Sequence, residues 1–131
     1  NHGTSWIPLF DEQPNASIGD VTIQQPNPNL VGGGTGEPQN RQSSPYGNGV
    51  YKSTDGGNTW AHMGLEDTRH IGRIIIHPTD PDIVWVAALG HRWGPNEERG
   101  VFRTTDGGET WERVHYLYEH TCSEYLEIVQ R

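Results

Sequence analysis

The chain has 131 residues, the length of one ordinary domain, but only 31% of them are hydrophobic, and 17 Gly and 9 Pro favour short strands and turns over long helices. A formal net charge of -8 argues against a nucleic-acid partner, because phosphate binding needs clustered Lys and Arg. The single cysteine, Cys122, excludes an internal disulfide and a cysteine-based zinc site.

The first predicted element is the end of an incomplete repeat. The opening residues Asn1-His2-Gly3-Thr4-Ser5-Trp6 match the pattern Asp-x-Gly-x-Thr-Trp, with Asn and Ser as substitutes. The same pattern returns twice further along the chain. We therefore expect the chain to begin inside a hairpin.

Two complete repeat units follow. Segment 49–60 recurs as segment 100–111, 51 residues later, and Ile18-Gly19-Asp20-Val21-Thr22-Ile23 recurs as Ile71-Gly72-Arg73-Ile74-Ile75-Ile76, 53 residues later. The second match continues to Leu30-Val31 and Ile83-Val84. Two motifs that recur in the same order at nearly the same period indicate a repeat architecture.

Each unit is predicted to contain four antiparallel strands. In the second unit they span about residues 71–77, 83–89, 100–105 and 110–116, which are rich in β-branched and aromatic residues and are separated by Gly and Pro. Tight turns are predicted at 26–29 and 78–82, where Pro and Asx residues cluster. Four strands every ~50 residues is the spacing of propeller blades. The predicted fold class is all-β, a partial β-propeller of about two four-stranded antiparallel blades.

The repeated hairpin between the third and fourth strands has a physical rationale. Its carboxylate can accept backbone N–H groups of its own turn, and glycine permits the positive φ of the reversal. The tryptophan after the turn can wedge between neighbouring sheets. A calcium loop is the alternative, but each turn offers one carboxylate, so we expect neither a metal nor a cofactor. The predicted structural residues are Asp55, Gly57, Thr59, Trp60, Asp106, Gly108, Thr110 and Trp111.

These hairpins resemble the BNR or Asp-box repeats of sialidases, plant-polysaccharide glycosidases, sortilin-like receptors and photosystem assembly propellers. The stretches 31–38, 70–73 and 94–101 are most similar to bacterial sortilin-like repeat proteins, and the resemblance covers about residues 1–117. It implies the following division: 1–13, the end of a preceding blade with a degenerate Asp box; 14–64, a blade with its box at 53–60; 65–117, a blade with its box at 104–111; 118–131, a divergent tail or the start of a next blade.

The loops opposite the Asp boxes are the predicted ligand-binding surface. They span 32–48, 63–69 and 90–99, and mixed aromatic, amide and carboxylate groups on such loops suit carbohydrate or peptide recognition. The alternative is that these groups only satisfy loop backbone and cover the rim of the disc. The candidate ligand-binding residues are Glu37, Asn40, Arg41, His70, Arg73, His91, Trp93 and Glu97.

No catalytic residues are assigned within the chain. Arg73 is expected to form a salt bridge with Asp20, and the sharper alternative makes it a carboxylate-binding arginine of a sialidase-like centre. Glu97 and Glu98 are adjacent, so a glycosidase pair would need a partner from another blade. The histidines have no metal-binding spacing, and a metal or triad role for them is a minority interpretation.

The resemblance leaves two functions open. The first is a non-catalytic recognition or scaffold segment that binds a protein, peptide or glycan. The second is a fragment of a sialidase-like or xyloglucan-acting glycoside hydrolase whose catalytic residues lie largely elsewhere. We expect no membrane span. We expect the parent protein to be secreted, periplasmic or on the cell surface, with a signal peptide that would lie upstream of Asn1. We also expect the chain to contact further blades or to self-associate through exposed blade faces.

Overall fold

The computed structural model describes residues 2–15, 17–37, 46–91 and 97–116, and these residues form an all-β structure of two four-stranded antiparallel sheets. Within each sheet every strand pairs with its neighbour in chain order, so both sheets are meanders. The first sheet contains β1 (Ile18–Gln24), β2 (Asn27–Thr35), β3 (Val50–Ser53) and β4 (Ala61–His62). The second contains β5 (Ile71–Ile76), β6 (Val84–Ala88), β7 (Gly100–Thr104) and β8 (Glu112–Tyr116), and a 3-10 turn, Glu66–Thr68, joins the sheets.

The predicted strands of the second unit are confirmed, but one predicted loop is wrong. Gly32, Gly33 and Gly34 were expected to open a loop, whereas β2 continues to Thr35. The three glycines pair with β1 on one side and with β3 on the other. The described part of this loop therefore begins only after Thr35.

The glycines of β2 are present because the second sheet packs directly on them. A methyl group on Gly34 would lie 2.5 Å from Cγ2 of Ile71, and one on Gly32 would lie 3.4 Å from Cγ2 of Ile74. Ile71 and Ile74 are buried together with Val50 and Val86 in the apolar core between the sheets. Glycine in a strand usually marks such a close approach.

Hydrogen bonds from tryptophan side chains also link each repeat to the one before it. The indole Nε1 of Trp111 donates to the carbonyl oxygen of Met63 at 2.6 Å, and that of Trp60 donates to the carbonyl oxygen of Leu9 at 2.7 Å. Leu9 and Met63 each follow the tryptophan of their own repeat, Trp6 or Trp60, by three residues. Residues near Leu9 therefore contact the first sheet at the position where residues near Met63 contact the second sheet.

Each sheet has two chemically distinct edges. At the turn edge, the β3–β4 and β7–β8 reversals bond to the first turn of their sheet, with Gly56 N donating to Asn29 O at 2.9 Å and Gly107 N to Asp82 O at 3.0 Å. The opposite edge carries the connections after β2, β4 and β6, and we call it the loop edge. The predicted ligand-binding loops lie there.

Candidate functional site

The repeated turns at the turn edge are closed by their own side chains. The Asp55 carboxylate accepts the Ser53 hydroxyl at 2.7 Å, the Thr59 N–H at 2.8 Å and the Thr59 hydroxyl at 2.6 Å. Gly57 N donates to the Ser53 hydroxyl oxygen at 2.8 Å, and its φ of 93° is one that glycine adopts without strain. The second repeat has the same bonds among Thr104, Asp106, Gly108 and Thr110.

These hydrogen bonds hold both aspartates in the charged form. The Thr59 hydroxyl, helped by the Thr59 N–H and the Ser53 hydroxyl, lowers the pKa of Asp55 to about 2. The Thr110 and Thr104 hydroxyls lower the pKa of Asp106 well below its usual range. Because these oxygens accept hydrogen bonds from donors in the same turn, the turn aspartates stabilise their own hairpins. In the described ranges, no group of three or more His, Cys, Asp or Glu residues is arranged to hold a metal ion.

The loop edge contains an acidic groove between the two sheets. Its volume is about 380 Å³, and it lies between the residues that follow β4 and those that precede β7. Phe102 is the aromatic residue among those that line it. We call this cavity the acidic groove; it is lined by Gly64, Leu65, Glu66, Asp67, Thr68, Glu97, Glu98 and Phe102.

One wall of the acidic groove is a short, tightly bonded turn. The buried Thr68 donates its hydroxyl to the Leu65 carbonyl oxygen at 2.6 Å. Leu65 and Arg69, at either end of the turn, have positive φ values of 58° and 53°, which are uncommon for residues with side chains and cluster at functional sites. Glu66 lies 3.6 Å from Nδ1 of His62.

The other wall is held by arginines. The buried Arg99 donates from Nε to the Leu89 carbonyl oxygen at 3.0 Å and from Nη2 to the His91 carbonyl oxygen at 2.9 Å. Arg113 donates from Nη1 to the Glu97 carbonyl oxygen at 2.5 Å. These bonds to main-chain oxygens help to orient the described residues that flank β7.

The groove carboxylates differ from the turn aspartates in their partners. Within the described residues, the side-chain oxygens of Asp67, Glu97 and Glu98 accept no hydrogen bond and form no ion pair. Glu66 is the exception through its contact with His62. The groove thus presents acceptor oxygens that remain available to a ligand.

A second cluster at the loop edge is built on Tyr46. The Arg69 guanidinium carbon lies 4.6 Å from the centre of the Tyr46 ring, and the buried His70 ring makes an edge contact with it at 5.9 Å. Gly47 N donates to the Arg69 carbonyl oxygen at 2.6 Å, which fixes the backbones together. The exposed Tyr46 ring and the arginine form a flat polar surface.

The predicted site residues fall into several places. Glu97 lines the acidic groove, His70 lies beneath Tyr46, and His91 contributes its carbonyl oxygen to the Arg99 contact. Glu37 is half-buried, and its N–H donates to the Ser17 hydroxyl oxygen at 3.0 Å. Asn40, Arg41 and Trp93 lie outside the described residues.

Arg73 is not part of either cluster. It is exposed in the middle of β5 and does not line the acidic groove. The expected salt bridge to Asp20 is wrong: no ion pair joins these two described residues, and Asp20 instead accepts the Ile74 N–H at 2.8 Å. A β-bulge between Ile71 and Arg73 accompanies this side-chain-to-backbone contact.

Sequence reasoning missed the groove because its two walls lie about 30 residues apart in the sequence. Glu66 and Asp67 precede β5, whereas Glu97 and Glu98 precede β7. Two sequence features could have indicated the groove: the acidic pair in Gly-Leu-Glu-Asp-Thr and the arginine before Gly100. Tyr46 and Arg69 also lie in predicted loops but are not among the predicted ligand-binding residues.

Comparisons with known proteins bear on the fold. No family model and no curated protein sequence matches the chain. Among solved structures, the chain is similar to an ancestral GH74 enzyme, with a TM-score of 0.56 and 22% sequence identity over 78% of this chain. The chain spans 13% of the length of that enzyme chain. At this identity the likeness concerns the fold alone.

The described residues also bear on membrane insertion. None of their helical segments has the length and apolarity needed to cross a bilayer.

Proposed function

We propose that the chain forms two neighbouring blades of an Asp-box β-propeller and that the acidic groove at their loop edge binds a neutral carbohydrate. The observation that carries the ligand proposal is the groove itself, which is lined by four carboxylate residues and by Phe102. The matched turn networks and the fold likeness to a GH74 enzyme support the propeller architecture.

The chemistry of the groove favours a neutral sugar over an acidic one. Carboxylates accept hydrogen bonds from sugar hydroxyls, and hydrogen bonds to charged groups are about twice as strong as neutral ones. The apolar face of a sugar ring can rest on an aromatic ring such as that of Phe102. An anionic sugar would meet like charges from Asp67, Glu97 and Glu98, which opposes binding.

The position of Arg73 agrees with this preference. A sialidase-like centre needs arginines that converge on the substrate carboxylate. Arg73 instead lies exposed on β5, away from the lining of the acidic groove. We therefore favour a neutral glycan over a sialylated one.

Binding measurements on this chain test the proposal. We expect neutral β-glucan oligosaccharides to give calorimetric heats that barely change with salt, and sialylated oligosaccharides to give none. Glu97→Gln should weaken binding about tenfold, because Gln keeps an acceptor oxygen but a neutral hydrogen bond contributes about 1–1.5 kcal/mol less than a charged one. Glu109→Gln is the matched control, since Glu109 is an exposed carboxylate at the turn edge.

Two results would contradict the carbohydrate proposal. One is an equal loss of affinity in the Glu97→Gln and Glu109→Gln variants. The other is absence of glycan binding together with binding of a Lys/Arg-rich peptide that weakens steeply with salt, which would assign the acidic groove to a peptide ligand.

A second candidate is a segment of a glycoside hydrolase. The fold likeness to a GH74 enzyme favours it, and groove carboxylates could contribute one member of an acid–base pair about 5–9.5 Å apart. Turnover of a neutral glycan by a full-length parent protein, abolished by Glu97→Gln or Glu98→Gln, would establish the enzyme. Binding without turnover would support the recognition function. In both cases we propose a secreted, periplasmic or cell-surface parent protein.

A further inference from the structure

Both repeated turns at the turn edge contain an aspartate that is followed by glycine. These pairs are Asp55-Gly56 and Asp106-Gly107. In such a pair the main-chain nitrogen of glycine can attack the aspartate side chain, because glycine has no side chain that would hinder the approach. The reaction converts aspartate into isoaspartate, an isomer in which the main chain runs through the side-chain carbon atoms. Each hairpin therefore contains a pair of residues that is chemically labile in an unfolded chain.

The conversion takes two steps and needs only water. In the first step the glycine nitrogen forms a bond to Cγ of the aspartate, and a carboxyl hydroxyl leaves with the amide proton as water, which gives a cyclic imide. In the second step water adds to the main-chain carbonyl carbon of the ring and breaks the bond from that carbon to the nitrogen. The α-carboxylate is then free, and the chain continues through Cγ. The first step needs a nitrogen that can approach Cγ, and it is favoured by a protonated carboxyl group because a carboxylate is a poor electrophile.

The folded first turn opposes both conditions at Asp55. Gly56 N donates to Asn29 O at 2.9 Å, which directs this N–H towards the start of β2. The hydroxyl and the N–H of Thr59 hold the carboxylate oxygens at 2.6 and 2.8 Å. The same donors lower the pKa of Asp55 from 3.8 to about 2. At about pH 5 the protonated fraction of the carboxyl group is therefore reduced roughly sixtyfold.

The second turn repeats this arrangement around Asp106. Gly107 N donates to Asp82 O at 3.0 Å, and the carboxylate accepts the Thr110 N–H at 2.9 Å and the Thr110 hydroxyl. Each carboxylate is held by donors of its own hairpin. A substitution in one turn therefore leaves the other network intact, and the two turns can open separately.

We propose that Asp55 and Asp106 are latent isoaspartate sites, at which the cyclic imide forms only after the local hydrogen-bond network has opened. The product cannot rebuild the hairpin, because isoaspartate adds a carbon atom to the main chain and replaces the side-chain carboxylate by one that is attached directly to Cα. The modification therefore removes the acceptor of the Thr59 and Thr110 donors. The proposal concerns the turn edge and does not depend on the ligand of the acidic groove.

The variants Thr59→Val and Thr110→Val test the proposal, with the other turn of the same chain as the internal control. Valine keeps the main-chain N–H and the branched shape of threonine but lacks the hydroxyl. The folded proteins are incubated at about pH 5 in water enriched in oxygen-18, because ring opening adds an oxygen atom from the solvent. Trypsin cleavage after Lys52, Arg69, Arg103 and Arg113 places the two aspartates on separate peptides, 53–69 and 104–113, for mass spectrometry.

We expect isoaspartate to form about tenfold or more faster at Asp55 in Thr59→Val while the rate at Asp106 is unchanged, and the reverse in Thr110→Val. Thr59→Ser keeps the hydroxyl and should react as slowly as the unsubstituted chain. In guanidinium chloride both sites of the unsubstituted chain should react faster than in the folded protein.

Four results would overturn the proposal. Equal rates in the folded and the denatured unsubstituted chain would mean that the fold gives no protection. An equal rise at both aspartates in the Thr59→Val variant would mean that global unfolding controls the reaction. Rates that neither valine variant changes, or a Thr59→Ser variant that reacts as fast as Thr59→Val, would mean that the threonine hydroxyls have no role in it.

Discussion

Replacing Gly34 with alanine should destabilise the protein by overpacking the junction between the sheets. The new methyl group would lie 2.5 Å from Cγ2 and 3.0 Å from Cβ of Ile71, which is completely buried and has little room to move. Overpacking of this kind costs about 1–3 kcal/mol. The loss of glycine flexibility in the unfolded chain returns about 0.4–1 kcal/mol, so we expect a net loss of about 1–2 kcal/mol in urea unfolding.

The neighbouring glycine supplies the control. A methyl group on Gly33 would point to the other side of the sheet, 3.4 Å from the Trp60 ring, which is near ordinary contact. Gly33→Ala should therefore be neutral or slightly stabilising. If Gly34→Ala acts mainly through Cγ2 of Ile71, its cost should fall by at least about 1 kcal/mol in an Ile71→Ala background, although Cδ1 of Ile74 remains 3.0 Å from the new methyl group. Equal stability of the two glycine variants, or an unchanged cost in that background, would refute the packing argument.

Three further predictions concern the turns and the inter-repeat contacts. The contribution of Asp55 to the free energy of unfolding should be constant above about pH 5 and fall as the pH drops from about 4 towards 2, because the folded pKa of Asp55, about 2, lies below its ordinary value of 3.8 and the full contribution is present only above that value. Thr59→Val should raise the pKa of Asp55 towards 3.8 in a carboxyl NMR titration, and an unchanged pKa would contradict the assigned cause. Trp111→Phe should lower the free energy of unfolding by at least about 0.5–1.5 kcal/mol, because it removes the hydrogen bond to Met63. Trp6→Phe is the control and should change the urea midpoint little, because the Trp6 side chain is 87% exposed. Equal effects of the two variants would argue against the inter-repeat bond as a stabilising contact.

The sequence predicted what local chemistry determines. Strands β5 to β8 follow from runs of β-branched and aromatic residues and from turn residues close in sequence, and the repeat period supplied their order. The sequence predicts a loop at the glycines of β2 because Ile71 and Ile74, which pack on Gly32 and Gly34 in the folded chain, lie some 40 residues away. The acidic groove escaped prediction for a similar reason, since Glu66 and Asp67 lie about 30 residues from Glu97 and Glu98 in the sequence.

The two edges use the same functional group in opposite ways. At the turn edge, each aspartate accepts hydrogen bonds from donors of its own hairpin, which closes the reversal. At the loop edge, Glu97 lines the acidic groove, and within the described residues its carboxylate has no such local donor. The carbohydrate proposal therefore rests on the loop edge, where carboxylates on a rigid scaffold can accept hydrogen bonds from a ligand.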